Sequence, residues 1–164
     1  DDGIRARSPS RGLGDVYKRQ GQALVIGGVN VPHNKGLVGH SDGDVLIHAI
    51  MDSLLGASGL GDKGSHFPSS DPELKDISSL VLLSKVADLL DENHWRITNV
   101  DATIIAQSPR LSHFLEDMIE LTSQTLSINP TLLSIKVTTT DYMGFIGREE
   151  GIAACAVAAI EKIS

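Results

Sequence analysis

The residues of this chain whose types and spacing could do chemistry lie in His40-Ser41-Asp42-Gly43-Asp44-Val45-Leu46-Ile47-His48. This polar turn runs into apolar Ile47, Ile50, Met51, Leu54 and Leu55, spaced as one face of an amphipathic helix. Ser41 or Asp42 can cap that helix, because a short oxygen-bearing side chain accepts from first-turn amides that have no partner. His48 lies off the apolar face, with Asp44 and Asp52 four residues to either side, so carboxylate, imidazole and carboxylate share one stripe. A metal ligand uses such a stripe, since a coordinating His usually has its second ring nitrogen held by an acceptor. His40 and Ser41 stand where the helix dipole and free amides favour an anion, so they could hold a phosphate beside a metal on His48. The plainer reading is a solvated histidine between acids, the commoner state of a lone helical His.

Composition narrows what those residues could serve. The chain has 164 residues, 41% hydrophobic and 21% charged, enough for one domain with a buried core. No apolar run is long enough to span a bilayer, and a net charge of −7 argues against non-specific nucleic-acid binding. The single Cys155 excludes an intrachain disulfide, and its apolar surroundings suggest a buried, inert thiol.

The elements that must position the motif can be read in order. Residues 1–20 are Arg-, Ser- and Gly-rich and carry +2 by count, leaving −9 for the rest. Acids at positions 1, 2 and 15 and the lack of an apolar centre argue against a targeting peptide. The run Ser8 to Gln20 resembles translated adapter sequence, so 1–20 is expected to be a non-native or disordered leader to a domain over 21–164. Ala23 to Gly28 and Val29 to Pro32 read as two short strands about a Gly-Gly turn. Clustered glycines from Gly56 to Gly61 end the first helix, and a polar loop follows to Pro72. Asp76 to Asn93 reads as a second helix, and Val100 to Gln107 as a strand broken at Pro109. A third helix carries Leu111, Phe114, Leu115, Met118, Ile119 and Leu121, and Leu133 to Val137 alternates as a strand. It ends in Thr138-Thr139-Thr140-Asp141. The Ala-rich stretch from Gly151 to Ile163 is helical by propensity, with a hairpin strand as the alternative. Mixed strands and helices without a repeat make the coarse class a single α/β or α+β domain.

Taken together, His40 to Asp44 with His48, Gly61-Asp62 to Phe67-Pro68, Asp101 to Gln107 with Pro109-Arg110, and Thr138 to Asp141 through Gly144-Phe145 and Gly147-Arg148 form an ordered set of motifs. In that set the chain, from about Leu24 onward, resembles the 2-C-methyl-D-erythritol 2,4-cyclodiphosphate synthases. The resemblance implies a small mixed four-stranded sheet with helices packed on one side, and in that fold the Ala-rich tail is a strand. It implies a lyase of non-mevalonate isoprenoid biosynthesis that cyclises 4-diphosphocytidyl-2-C-methyl-D-erythritol 2-phosphate and releases CMP. It also implies a homotrimer with sites between subunits and no nucleic-acid or membrane partner. The expected location is the bacterial cytoplasm, with a plastid as the alternative.

By the same resemblance His48 is a zinc ligand, while Asp141 holds a magnesium or manganese ion with the substrate diphosphate. His40 and Thr139 stabilise the transition state, and Ser41 orients phosphate. Asp62, Lys63 and Gly64 meet the erythritol hydroxyls, with Phe67, Pro68, Ser69, Ser70 and Asp71 completing that wall. Ala106, Gln107, Ser108, Pro109, Arg110, Leu111 and Ser112 match the cytidine-binding segment. Thr138, Thr140, Phe145 and Arg148 match the phosphate and base contacts from the other side. Each has a bland counterpart: threonines favour strand ends, the arginines could be solvated, and the phenylalanines could fill the core.

Two departures stand out. The family places an Asp-x-His zinc triplet before the first Gly-Gly strand, where this chain has Asp15-Val16-Tyr17, and a protonated phenol is a poor zinc ligand. Asp141 stands where the family has Glu. A damaged metal site would leave two rival readings: a non-catalytic trimeric nucleotide- or isoprenoid-binding protein, or a metal-dependent phosphohydrolase. The second lacks the His pair a two-metal site needs.

Overall fold

The computed structural model describes residues 4–6 and 18–163. Its centre is a four-stranded sheet in the order β1, β8, β6, β7, built from Ile4–Ala6 (β1), Trp95–Ile105 (β6), Leu133–Thr138 (β7) and Ala153–Lys162 (β8). β6 pairs parallel with β7, from Val100 opposite Leu133 to Ile105 opposite Thr138. It pairs antiparallel with β8, with an irregularity between Ile97 and Asn99. Lys18–Gln20 (β2) pairs with Lys35–Leu37 (β5) in a separate ladder. β1 and β2 fall within the segment expected to be a leader.

Leu24–Ile26 (β3) and Val29–Val31 (β4) form the expected hairpin. Gly27 and Gly28 turn it at φ of 60° and 75°, a left-handed pair that glycine adopts without a Cβ clash.

Alternation sorts the main sheet into two faces. Val100, Ala102, Ile104, Leu133, Ile135, Ala154, Ala156, Ala158 and Ile160 are buried on one of them. Helix α1 (Val45–Ser58) packs against β8 and β6, and the alanines of β8 allow its close approach. Helices α3 (Ser79–Glu92) and α4 (Leu115–Thr125) complete the layer, and short α2 (Lys63–His66) follows α1. The other face carries Thr103, Ile105, Cys155, Val157 and Ala159, all half-buried. The thiol of Cys155 is thus only partly covered, against the expectation of full burial.

Both ends of α1 differ from the sequence reading. α1 starts at Val45 with Asp44 as its cap, because the preceding Gly43 takes φ of 74°. It runs through Gly56 and Ala57 to a left-handed Gly59, since packing rather than local propensity decides those positions. The Ala-rich tail is strand β8, as the resemblance implied and against its own propensity: its backbone completes the ladder with β6, and alanine's helical preference is too small to compete.

Candidate active site

The site begins where α1 and α3 meet. The turn before α1 is tied to the approach to α3, with Asp42 N donating to Ile77 O at 3.2 Å and Asp76 N to His40 O at 2.9 Å. Asp42 then accepts from Ser79 N at 2.8 Å and, in a short hydrogen bond, from Ser79 Oγ. This brings Ser79 and Ser41 to the same imidazole nitrogen, with His48 Nε2 3.1 Å from each hydroxyl oxygen. On the far side of the ring, Lys63 Nζ stands 3.0 Å from His48 Nδ1.

These contacts assign the protons. An ammonium has only donors, so Nδ1 accepts from Lys63 and the neutral ring carries its hydrogen on Nε2. Nε2–H donates toward Ser41 and Ser79, and Ser79 donates onward to Asp42. Burial, reinforced by the Lys63 charge, pushes the His48 pKa down from 6.5 to about 3. His48 is buried, not on an open polar face as the helix pattern suggested.

The acid–imidazole–acid stripe does not form a shell around His48. Asp44 is fully buried and turned to the backbone, accepting from Leu46 N, Ile47 N and Gly28 N. Burial raises its pKa to about 7 despite those amides. Asp52 Oδ1 accepts from the backbone amide of Lys63 at 3.4 Å.

A cavity of about 190 Å³ opens over this cluster, lined by His40, Ser41, His48, Lys63, Gly64, Phe67, Ser69, Leu74 and Leu82. The structure therefore gathers seven of the expected site residues from two separated segments, 40–48 and 63–69. His40 is exposed, its Nε2 3.3 Å from Asp71 O. Asp62 caps α2 by accepting from Ser65 N, and Asp71 caps a single 3-10 turn by accepting from Glu73 N. Pro68 and Ser70 are exposed on the same loop.

The remaining expected residues form a second group at the ends of β6 and β7. Ala106 N donates to Thr138 O at 3.0 Å, and Tyr142 N to Gln107 Oε1 at 3.0 Å. Ser108 and Pro109 are half-buried, Arg110 and Ser112 are exposed, and Leu111 belongs to the core. Thr138, Thr139, Asp141 and Phe145 are exposed and Thr140 is half-buried. Thr139 Oγ1 lies 3.3 Å from Asp141 Oδ1, and Arg148 pairs with Glu150 through two hydrogen bonds. None of this second group lines the His48 cavity.

Sequence reasoning missed Ser79 and the facing of Lys63 onto His48. Ser79 carried no signal beyond standing beside the cap of α3. Lys63 carried one, a long cation next to a glycine-bounded turn.

The donor set also tests a zinc ion at His48. Among the described residues no three His, Cys, Asp or Glu side chains converge as metal ligands. The one imidazole lone pair already accepts from an ammonium. Asp15 and Tyr17 lie outside the described residues. The described residues do not fit zinc at His48.

Fold and cavity define a single-domain α/β protein with a pocket at the N-terminal end of its central helix, where two histidines, serines and a lysine meet an apolar wall of Phe67, Leu74 and Leu82. The YgbB family model matches residues 11–161, and the chain belongs to that family. It is 52% identical over 149 residues to the 2-C-methyl-D-erythritol 2,4-cyclodiphosphate synthase of Syntrophomonas wolfei, covering 90% of this chain and 95% of the relative. The Clostridium botulinum protein of the same name is 51% identical over 152 residues, covering 92% and 98%. Among solved structures, IspF of Plasmodium falciparum in a CDP complex superposes with a TM-score of 0.81 at 30% identity, covering 100% of this chain and 99% of that one. The bifunctional IspDF of Campylobacter jejuni gives a TM-score of 0.87 at 33% identity. The match covers 99% of this chain, which spans 42% of that longer protein.

Proposed function

We propose that the chain is a lyase of isoprenoid precursor biosynthesis that cyclises 4-diphosphocytidyl-2-C-methyl-D-erythritol 2-phosphate to 2-C-methyl-D-erythritol 2,4-cyclodiphosphate and CMP. The observation that carries this reading is the cavity in which His40, Ser41 and Lys63 meet, in a chain about half identical to synthases of that name.

In this reaction an oxygen of the 2-phosphate attacks the β-phosphorus and CMP leaves with the bridging oxygen. The protein supplies no nucleophile. Its work is to bend the substrate so that the attacking oxygen lies in line, a positioning effect worth roughly 7 to 11 kcal/mol in favourable intramolecular cases. His40 and Ser41 bind one phosphate at the mouth of the cavity, and Phe67 and Gly64 shape the wall against the erythritol carbons. Thr138, Thr139 and Thr140 present hydroxyls to the diphosphate, and Gln107 to Arg110 with Phe145 hold the cytidine. Asp141 is an exposed carboxylate and would hold a magnesium or manganese ion brought with the diphosphate, an ion that offsets phosphate charge.

The two groups of residues lie at different places on one chain, so this reading assembles the complete site between neighbouring copies in a homotrimer. The half-buried face of Thr103, Ile105, Val157 and Ala159 suits such packing. No helix among the described residues is long and apolar enough to cross a membrane, and the substrate is a small polar molecule.

The test is incubation of the purified chain with the diphosphocytidyl substrate, followed by phosphorus NMR. CMP with the cyclic diphosphate is the expected result. CMP binding without turnover would replace the proposal with a non-catalytic binding protein, and free phosphate would replace it with a phosphohydrolase.

A further inference from the structure

Ser79 is fully buried and is not among the residues that line the cavity. The cavity is lined instead by Ser41 and by His48, whose Nε2 both serines share. A count of hydrogens sets the direction of each bond in this cluster. Ser79 Oγ has one hydrogen, and the Asp42 carboxylate, which can only accept, takes it in a short bond. Ser79 therefore meets His48 Nε2 with a lone pair, and their 3.1 Å contact is a hydrogen bond only if Nε2 carries the ring hydrogen. That N–H also faces Ser41 Oγ at 3.1 Å, so Ser41 likewise accepts from the ring. The Ser41 hydrogen is then left over. Among the described residues the Ser41 hydroxyl has no other polar partner, and Ser41 lines the cavity beside His40. Asp42 fixes Ser79 through its backbone as well, accepting from Ser79 N at 2.8 Å, so the first turn of α3 carries the hydroxyl to the ring.

We propose that Ser79 is a positioning residue for phosphate binding: held by Asp42, it seats the His48 ring as an Nε2–H donor, which turns the Ser41 hydroxyl into a donor for a substrate phosphate. The inference rests on the phosphate contact proposed for Ser41 above and deepens it. A serine that only pinned α3 to α1 would change stability without acting through Ser41, and a double-mutant cycle separates the two roles.

The parent chain, Ser79→Ala, Ser41→Ala and the double variant are titrated calorimetrically with inorganic pyrophosphate. Ser41→Ala should weaken binding by about tenfold and Ser79→Ala by about three- to tenfold. The double variant should bind no more weakly than Ser41→Ala, because Ser79 acts through the hydroxyl already removed. Nitrogen-15 resonances of His48 in the parent chain should report a neutral ring protonated at Nε2 alone. Thermal unfolding checks that the variants keep the fold, and the ring assignment in the parent decides the matter if Ser79→Ala does not. Four results would each overturn the proposal: a ring protonated at Nδ1, parental binding by Ser79→Ala, losses that multiply in the double variant, or no pyrophosphate binding by the parent. CMP release separates this from the reaction itself. Turnover with uncoupled losses leaves the reaction standing and removes the Ser79 role, whereas coupled binding without turnover does the reverse.

Discussion

Asp44 Oδ2 accepts the backbone N–H of Gly28 at 2.7 Å, fastening the tip of the β3–β4 hairpin to the cap of α1. Its other oxygen accepts from Leu46 N at 3.1 Å and Ile47 N at 3.0 Å, so one buried carboxyl group satisfies three amides. This junction sets where α1 begins, and hence where Ser41 and His48 face each other.

Asp44→Ala should therefore cost more than an ordinary cap. Loss of the cap costs about 1 kcal/mol, and a stranded Gly28 amide adds about 1 to 3 kcal/mol. Asp44→Asn keeps one acceptor and should fall between wild type and alanine. Urea unfolding of the three proteins reads the difference; an alanine variant as stable as the parent would contradict this role.

A Cβ at Gly28 would lie 2.5 Å from Leu80 Cδ1, and its φ of 75° is left-handed. Gly28→Ala should lower stability by about 2 to 4 kcal/mol, from backbone strain and overpacking together. Its thermal midpoint is the check, and Gly59→Ala, whose Cβ meets nothing within 4 Å, serves as the control for left-handed strain alone.

His48 and Asp44 should oppose each other as pH changes. Burial holds the His48 pKa near 3 instead of 6.5, so the unfolded chain binds the extra proton between those values. Its contribution is present above 6.5 and is lost as pH falls toward 3. Asp44 titrates near 7 instead of 3.8, so the folded chain binds the extra proton, and its contribution is lost as pH rises through 7. Each alone gives a slope of up to about 1.4 kcal/mol per pH unit, with opposite signs, across roughly pH 4 to 6.5. Relative to the parent, Asp44→Asn should gain stability more steeply with rising pH and His48→Asn should lose it. Urea titrations at several pH values would reject the scheme if all three proteins gave parallel curves.

Thr139 is exposed just past the end of β7, its hydroxyl donating to Asp141 Oδ1 and accepting from the Asp141 amide. Thr139→Ala should leave stability within about 0.5 kcal/mol and lower kcat by about a hundredfold, the size of losing one transition-state donor. Equal losses in stability and turnover would show a structural role instead.

The parts of the fold that follow from local periodicity could be read directly. Ile47 to Leu55, Leu80 to Leu90 and Leu133 to Val137 each bury one set of side chains at their own period, and the Gly27-Gly28 pair dictates a tight turn. Ala153 to Ile160 could not be read that way, because alanine has no side chain large enough to show a period. Its strand exists because β6 needs an antiparallel partner and α1 needs a flat surface of small residues.

The site divides along the same line. The sequence alone determined which residue types stand at the start of α1 and in the loop after it, and with them the expectation of a phosphate beside a histidine. Only the tertiary structure decided what His48 touches. Ser79 and Lys63 arrive from 31 and 15 residues away, bringing a hydroxyl relay and an ammonium to a ring that the helix pattern placed toward solvent. Helix periodicity records which face a residue is on, whereas the partner waiting on that face is set by where other segments pack.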